Sequence, residues 1–371
     1  MQRRRPTMQA IADTLGISKN AVYLALNAKS GVSSALREKV ADTARRLGYG
    51  VYGLDDENSL ANLKKKSRCI IAVVPEYLRD DAFFYYDILW SIESEAKKHG
   101  ILLIHHTVTI EAQRAMAMPA LPDGVDVVGF LVIGVLSEPY VARLHGMGAP
   151  LVSVDIPYYE SPVSCVGTAN HSGGYAASQY LIERGHISIG FIGPVYTARS
   201  VYERWSGFRQ ALEERAIPVQ NEYNLIGQPG KFELFDTPEA LAPMFERLAE
   251  YPSAWFCAGD RIAIAAINLL TLRGLHVPDD ISVIGFDDLS IAQIILPKLT
   301  TMHVRRKHMG RIAVEQLLLR AQSHQTLSYV ALPCTLIERD SVRDLNAAFD
   351  ADYHTPIMSS TAGRTIAASS A

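Results

Sequence analysis

From Cys69 to about residue 340, short apolar runs alternate with longer stretches whose apolar residues recur at helical spacing. No other feature of the chain restricts its fold as much. CIIAVVPE (69–76) predicts a buried strand, and FFYYDILWSIESEAKKHG (83–100) a helix ended by Gly100. ILLIHHT, a helical stretch near 111–118, VVGFLVIG (127–134), a helix at 137–147 and APLVSVD (149–155) continue the pattern. It then restarts. Helices are expected at 173–186, 203–215, 238–251 and 261–274, and strands at 187–193, 222–227, 254–259 and 281–288. Strands that alternate with helices and lack polar faces predict parallel sheets covered on both sides. Two such series predict an α/β core of two lobes, each a doubly wound parallel sheet. Ligands of such sheets bind beyond the strand carboxyl ends, which here means the cleft between the lobes.

The segment before this core has another character. Residues 1–68 hold 13 Lys and Arg against 6 Asp and Glu, a net of +7, whereas the rest of the chain carries −10. A basic head on an acidic body suits a nucleic-acid module, and equally a solvated basic surface, so the pattern has to decide. TMQAIADTL (7–15) predicts a helix capped by Thr7, with Met8, Ile11, Ala12 and Leu15 on one face. Gly16 ends it, because glycine enters a left-handed turn cheaply, and Ile17 plugs the corner. Ser18 caps a second helix whose stripe is Ala21, Val22, Ala25 and Leu26. After Gly31 to Ser33 a third helix runs from about Ser34 to Leu47. This all-α head is a helix-turn-helix. Its second helix exposes Lys19, Asn20, Tyr23 and Leu24. Asn can read adenine with two hydrogen bonds, and Lys can reach guanine or a phosphate.

AIADTLGISKNAVYLALN, then VS, then LREKVADTARRLGY resembles the DNA-binding head of the lactose/galactose repressor family of bacterial transcription regulators. The resemblance implies DNA contacts by Thr7, Ser18, Lys19, Asn20, Tyr23, Leu24 and Asn27. Where the family commonly has Thr-Val-Ser-Arg, this chain has Ala21, Val22, Tyr23 and Leu24, so the usual groove-facing arginine is a leucine and the operator sequence does not carry over from better-known members. The linker GVYGLDDENSLANLKKKSR (50–68) contains NSLANLKKK, enough for about two turns of helix, too short to be stable alone. In the family such a hinge folds on DNA and wedges a leucine into the minor groove. Leu63 matches that leucine, and Lys64 suits a phosphate whether the segment is a hinge helix or a flexible tether.

The resemblance extends over the core. LIERGHISIGFIG, ERWSGFRQAL, GLHVPDDISVIGFDDLSIAQIILPKLTT, MGRIAVEQLL and LPCTLIERDS follow in that family's order, so together the matches span about residues 7–341. It implies a periplasmic-binding-protein-like effector core with a cleft ligand. Arg204 and Asp287 match the family's cleft arginine and aspartate, and Phe84 and Tyr85 its paired aromatics. Asp155 ends a strand, where a carboxylate can accept from ligand hydroxyls, or cap a helix, or bridge the lobes. Ser200 lies one turn before Arg204. Gly259-Asp260 stands where the family usually has Asn-Asp, which leaves the cleft edge without an amide.

The expected organisation is a DNA-binding domain at 1–49, a linker and hinge helix at 50–68, the effector core at 69–340 and a disordered tail at 341–371. Lobe 1 is expected to comprise 69–167 and 298–327, and lobe 2 168–297 and 328–340. The tail has no leucine heptads, so no tetramer is expected. Four scattered cysteines without ligand spacing, and no apolar run after MQRRRPT, fit a cytoplasmic protein with reduced thiols. No apolar run of about 18 residues suggests a membrane span. The His105-His106 pair lacks a third ligand, and neither a phosphate loop nor a nucleophile elbow occurs, so no metal, cofactor or enzymatic role is expected. The sequence therefore predicts a ligand-responsive transcription regulator, a repressor. It would bind near-palindromic double-stranded operator DNA as a homodimer and sense a sugar or sugar derivative. The rival reading is a cytosolic small-molecule receptor that does not bind DNA.

Overall fold

The computed structural model describes residues 8–26, 31–47, 67–80, 84–161, 163–231, 233–322 and 327–346. The chain divides into two compact units, Met1–Lys66 and Ser67–Ala371. In the first, helices α1 (Met8–Leu15), α2 (Lys19–Leu26) and α3 (Ser34–Leu47) pack through Ile11, Ala12, Val22, Ala25 and Val40. Gly16 has φ +63°, and the Ile17 amide returns to the Ala12 carbonyl at 3.1 Å, which closes α1. Ser18 Oγ accepts from the Ala21 amide at 3.1 Å, and Ser33 Oγ from the Leu36 amide at 3.2 Å, so both following helices begin on a serine cap.

The second unit holds two six-stranded sheets. The first contains β1 (Arg68–Pro75), β2 (Ile101–Val108), β3 (Asp126–Ile133), β4 (Leu151–Val154) and β5 (Ser164–Thr168), interleaved with helices α4 (Tyr85–Lys98), α5 (Ile110–Arg114) and α6 (Glu138–His145). The chain then enters the second lobe through α7 (Asn170–Glu183), followed by β6 (Ile189–Ile192), α8 (Arg199–Glu214), β7 (Asn224–Leu225), α9 (Pro238–Phe245), β8 (Ala254–Cys257), α10 (Asp260–Leu272), β9 (Ser282–Asp287) and β10 (Thr300–His303). It returns to the first lobe with α11 (Arg306–Gln322) and β11 (Tyr329–Leu332), and ends in the second with β12 (Thr335–Ile337). The strand orders are β2-β1-β3-β4-β5-β11 and β7-β6-β8-β9-β10-β12. All pairs are parallel except β10 with β12. Each lobe thus repeats one doubly wound order, and central strands such as β1 and β8 are buried almost throughout, as two-sided covering requires.

Two boundaries differ from the sequence expectation. Thr300–His303, assigned above to lobe 1, pairs with β9 in the second sheet, and Tyr329–Leu332, assigned to lobe 2, pairs with β5 in the first. The chain crosses between lobes three times, and the third crossing needs only Pro333 and Cys334. So short a link leaves no polar break in the sequence to mark it. The expected disordered tail is also corrected at its start. Ser341 is buried, accepts from the Thr300 amide at 2.9 Å and donates to the Val283 carbonyl at 2.6 Å. The Leu345 amide reaches the Arg184 carbonyl at 2.8 Å. Residues 341–346 therefore belong to the core. Among the described residues no helix is long and apolar enough to cross a membrane.

Candidate effector cleft and DNA-reading helix

The cleft site is built from strand ends. Asp155 directly follows β4 and Asp287 is the last residue of β9, and both have left-handed backbones, with φ of +75° and +107°. Such conformations are costly for non-glycine residues and gather at functional sites. Here they turn the two carboxylates out of the sheets and into one cavity of about 230 Å³. The same cavity is lined by Phe84, Tyr85, Ser200 and Arg204, so all six residues singled out by sequence meet in one place.

Arg204 is positioned by close helix packing. A Cβ on Gly174 of α7 would stand 2.3 Å from the Arg204 carbonyl oxygen, and one on Gly207 of α8 would stand 2.1 Å from the His171 carbonyl oxygen. Two glycines thus let α7 and α8 approach backbone to backbone. The buried guanidinium donates from Nε to Asn170 Oδ1 at 2.9 Å and from Nη1 to the Ala258 carbonyl. Its Nη2 lies 3.3 Å from Asp287 Oδ1, and its carbon 3.8 Å from the centre of the Phe286 ring. Every face of the fork except the cavity side is occupied, which fixes its direction.

On the opposite wall Tyr85 donates its hydroxyl to Asp155 Oδ2 at 3.1 Å and meets Phe84 edge to face at 4.9 Å. Burial pushes the Asp155 carboxyl above its ordinary range, while the Arg204 guanidinium and the Tyr85 hydroxyl pull it partly back. Behind the cavity, Asp260 is fully buried and accepts from the Leu289 amide at 2.7 Å and the Thr301 hydroxyl at 2.5 Å. Desolvation, then the neighbouring Asp287 charge, hold its carboxyl well above the usual range. It anchors the loop that follows Asp287. Gly259 forms the bare cavity edge expected from the sequence; a Cβ there would lie 3.2 Å from Asp287 Oδ2.

Several site residues escaped the sequence reading. Asn170, Phe235 and the Arg261–Asp236 ion pair at 2.6 Å lie in runs without any motif. Arg199, on α8 of lobe 2, places its guanidinium 4.9 Å from the ring centre of Tyr159 in lobe 1 and so spans the cleft. Arg306 spans it elsewhere: Nε pairs with Asp87 of α4 at 3.2 Å, while Nη1 and Nη2 donate to the Asp287 and Asp288 carbonyls. Among the described residues no group of acidic, His or Cys side chains could hold a metal ion.

In the head, the cap Ser18 and, on α2, Lys19, Asn20 and Tyr23 are exposed, and Leu24 is half-buried. The other expected DNA contacts, Thr7, Asn27, Leu63 and Lys64, lie outside the described residues, as does the linker up to residue 66; its last residue, Arg68, opens β1.

A helix-turn-helix unit joined to a two-lobed, cleft-bearing α/β core defines the class of ligand-responsive transcription regulators. The periplasmic binding protein-like domain family matches residues 178–342. The chain is 31% identical over 349 residues to the HTH-type transcriptional repressor PurR of Pectobacterium atrosepticum, covering 91% of this chain and 97% of that protein. It is 28% identical to PurR of Vibrio parahaemolyticus over 346 residues, 92% of this chain and 99% of that one. Among solved structures, the transcriptional regulator CelR in complex with cellobiose superposes with a TM-score of 0.64 at 26% identity, over 91% of this chain and all of that one. A lac repressor dimer bound to operator and an anti-inducer superposes with a TM-score of 0.63 at 23% identity, over 92% of this chain. The chain belongs to the LacI/GalR family of transcriptional regulators. It is a ligand-responsive, DNA-binding repressor, and the relatives it matches are regulators rather than enzymes.

Proposed function

We propose that this repressor is a homodimer that binds a near-palindromic operator through α2 and is controlled by a single-ring sugar or sugar derivative in the interlobe cleft. The observation that carries the ligand half is the convergence of Phe84, Tyr85, Asp155, Ser200, Arg204 and Asp287 on one cavity. Paired carboxylates and a fixed guanidinium suit hydroxyl groups, and Phe84 and Tyr85 suit the apolar face of a ring. The cavity of about 230 Å³ lies below the roughly 300–1,000 Å³ of drug-sized sites, which favours one ring over the cellobiose held by the CelR neighbour.

The mechanism follows from the contacts across the cleft. A ligand that touches Asp155 on one lobe and Arg204 on the other changes the balance between lobe arrangements by its differential affinity for them. Arg306 and the Arg199–Tyr159 contact are the cross-lobe interactions that such a change must keep or rearrange. In a dimer, lobe movement alters the separation of two heads on half-sites about 34–36 Å apart.

The test is selection of genomic fragments by the full chain, followed by titration with candidate ligands. Arg204→Ala is expected to retain operator binding while its ligand response shifts about 10- to 150-fold, the worth of a charged hydrogen bond of about 1.5–3 kcal/mol. An unchanged response would remove Arg204 from the site, and failure to enrich any fragment would remove the operator reading.

A further inference from the structure

The cleft cavity is lined by five charged side chains, Asp155, Asp236, Asp287, Arg204 and Arg261. Four of them form two ion pairs, Arg261 with Asp236 at 2.6 Å and Arg204 with Asp287 at 3.3 Å. Asp155 is the odd carboxylate. Its Oδ2 accepts from the Tyr85 hydroxyl, but Oδ1 is buried without a hydrogen-bond partner among the described residues. Arg204 is committed to Asn170, Ala258 and Asp287, and Arg199 to Glu203 at 2.9 Å. The Glu203 carboxylate adds to the negative potential at Asp155. The five lining side chains thus sum to a formal −1, and Asp155, itself buried, is the carboxylate outside either ion pair.

A buried carboxylate with an open acceptor position is satisfied by a donor, and best by a charged one. A phosphate or carboxylate on the ligand would instead place a like charge beside it. The Phe84 and Tyr85 rings line the same wall as an edge-to-face pair, and aromatic rings beside an ammonium group attract it. We infer that the cleft takes an amine-bearing small polyol, an amino sugar by class, in preference to the neutral or phosphorylated sugar of the same skeleton, with Asp155 as the residue that recognises the ammonium group. The inference rests on the cleft being the effector site. Burial raises the Asp155 carboxyl, and a cation seated beside it would favour the charged form.

The experiment is calorimetric titration of the full chain, below the amine pKa, with glucose, glucosamine, N-acetylglucosamine and glucose 6-phosphate, and with the galactose set. In at least one skeleton the free amine is expected to bind about tenfold or more tighter than the neutral sugar and its N-acetyl form, with the phosphate weakest. Asp155→Asn is the matched variant, since Asn tolerates the left-handed backbone of this position and differs by the charge. It is expected to shrink the ratio of amine to neutral-sugar affinity below about twofold, beyond any loss common to both ligands. In every skeleton that binds, a neutral sugar bound as tightly as its amine, or a phosphate bound more tightly, overturns the charge inference and leaves the sugar reading standing. An amine preference that survives in Asp155→Asn overturns the role of Asp155. No binding by any member overturns the sugar reading together with the inference.

Discussion

Arg204, Asp287 and Asp155 show how far single residues were legible. The first two stood within long family-like runs, and Asp155 at the end of an apolar strand, where a ligand contact, a helix cap and a bridge between lobes were all open readings. Their partners were not legible, because Gly174, Asn170 and Phe235 act through backbone approach or burial that leaves no motif. Gly174 supplies a sharp test. With a Cβ at 2.3 Å from the Arg204 carbonyl, Gly174→Ala must push α8 away from α7. Overpacking of this kind costs about 1–3 kcal/mol, and it moves the guanidinium from its three acceptors. The variant is expected to melt lower and to lose ligand affinity while the head still binds DNA, as measured by thermal unfolding and titration. In the head, Asn20→Ala is expected to relax base preference at one position of each half-site by about 1–3 kcal/mol, without a uniform loss across sequences. Competition among single-base operator variants would show this, and an equal loss on all of them would assign Asn20 to the phosphate backbone.

Elements were legible where their period was long and clean, and less so where a strand was short or at an edge. The helices α1, α2, α3, α4 and α8 fall where their apolar spacing predicts. The strand β5, SCVGT, was missed because small residues give no apolar run, and β7 shrank to two residues from the six expected. The crossings between lobes and the packed segment 341–346 were misplaced, because what fixes them is hydrogen bonding between distant segments. His186 contributes to the latter: it is buried, with Nε2 3.1 Å from the Arg343 carbonyl and Nδ1 3.0 Å from Ser253 Oγ. Burial lowers its tendency to bind a proton, although the Arg343 carbonyl and Asp344 charge oppose this. The unfolded chain therefore takes up a proton before the folded one does. Stability from this group is complete above its unfolded pKa of about 6.5 and is lost as pH falls through the window below it. Thermal unfolding from neutral to mildly acid pH should show that loss, and His186→Asn should flatten it. Truncation after Asp340 is expected to cost about 2–4 kcal/mol, from the Ser341, Arg343 and Leu345 hydrogen bonds at about 1 kcal/mol each. A truncated core that unfolds at an unchanged temperature would show that these bonds carry no stability.

At the scale of the whole molecule, the core displays more apolar surface than its interior needs. On the first lobe Tyr86 and Trp90 of α4 stack at 6.1 Å, both exposed, with Leu102 of β2 also exposed. On the second lobe Leu272, Ile294 and Leu296 are exposed by 79%, 77% and 85%. Exposed apolar side chains scattered singly are ordinary, but groups of them mark surfaces that associate. A second copy of the chain is the occupant that regulation requires, since two heads on a two-fold axis must be linked for lobe movement to change their spacing. The core, residues 67–371, is thus expected to sediment as a dimer at micromolar concentration without heads or DNA. Substituting Leu296→Glu together with Ile294→Glu places two charges where each copy would bury apolar surface, and burying unpaired charge is costly. Because both positions are so exposed in the single chain, the fold and the cleft should survive. The expected result is a monomer that still binds the ligand of the parent protein and has lost most of its operator affinity. A variant that remains dimeric would move the interface to the Tyr86–Trp90 face, to be tested in the same way with Trp90→Glu. A wild-type core that sediments as a monomer would refute the palindromic reading itself, because nothing would then hold two heads at one operator.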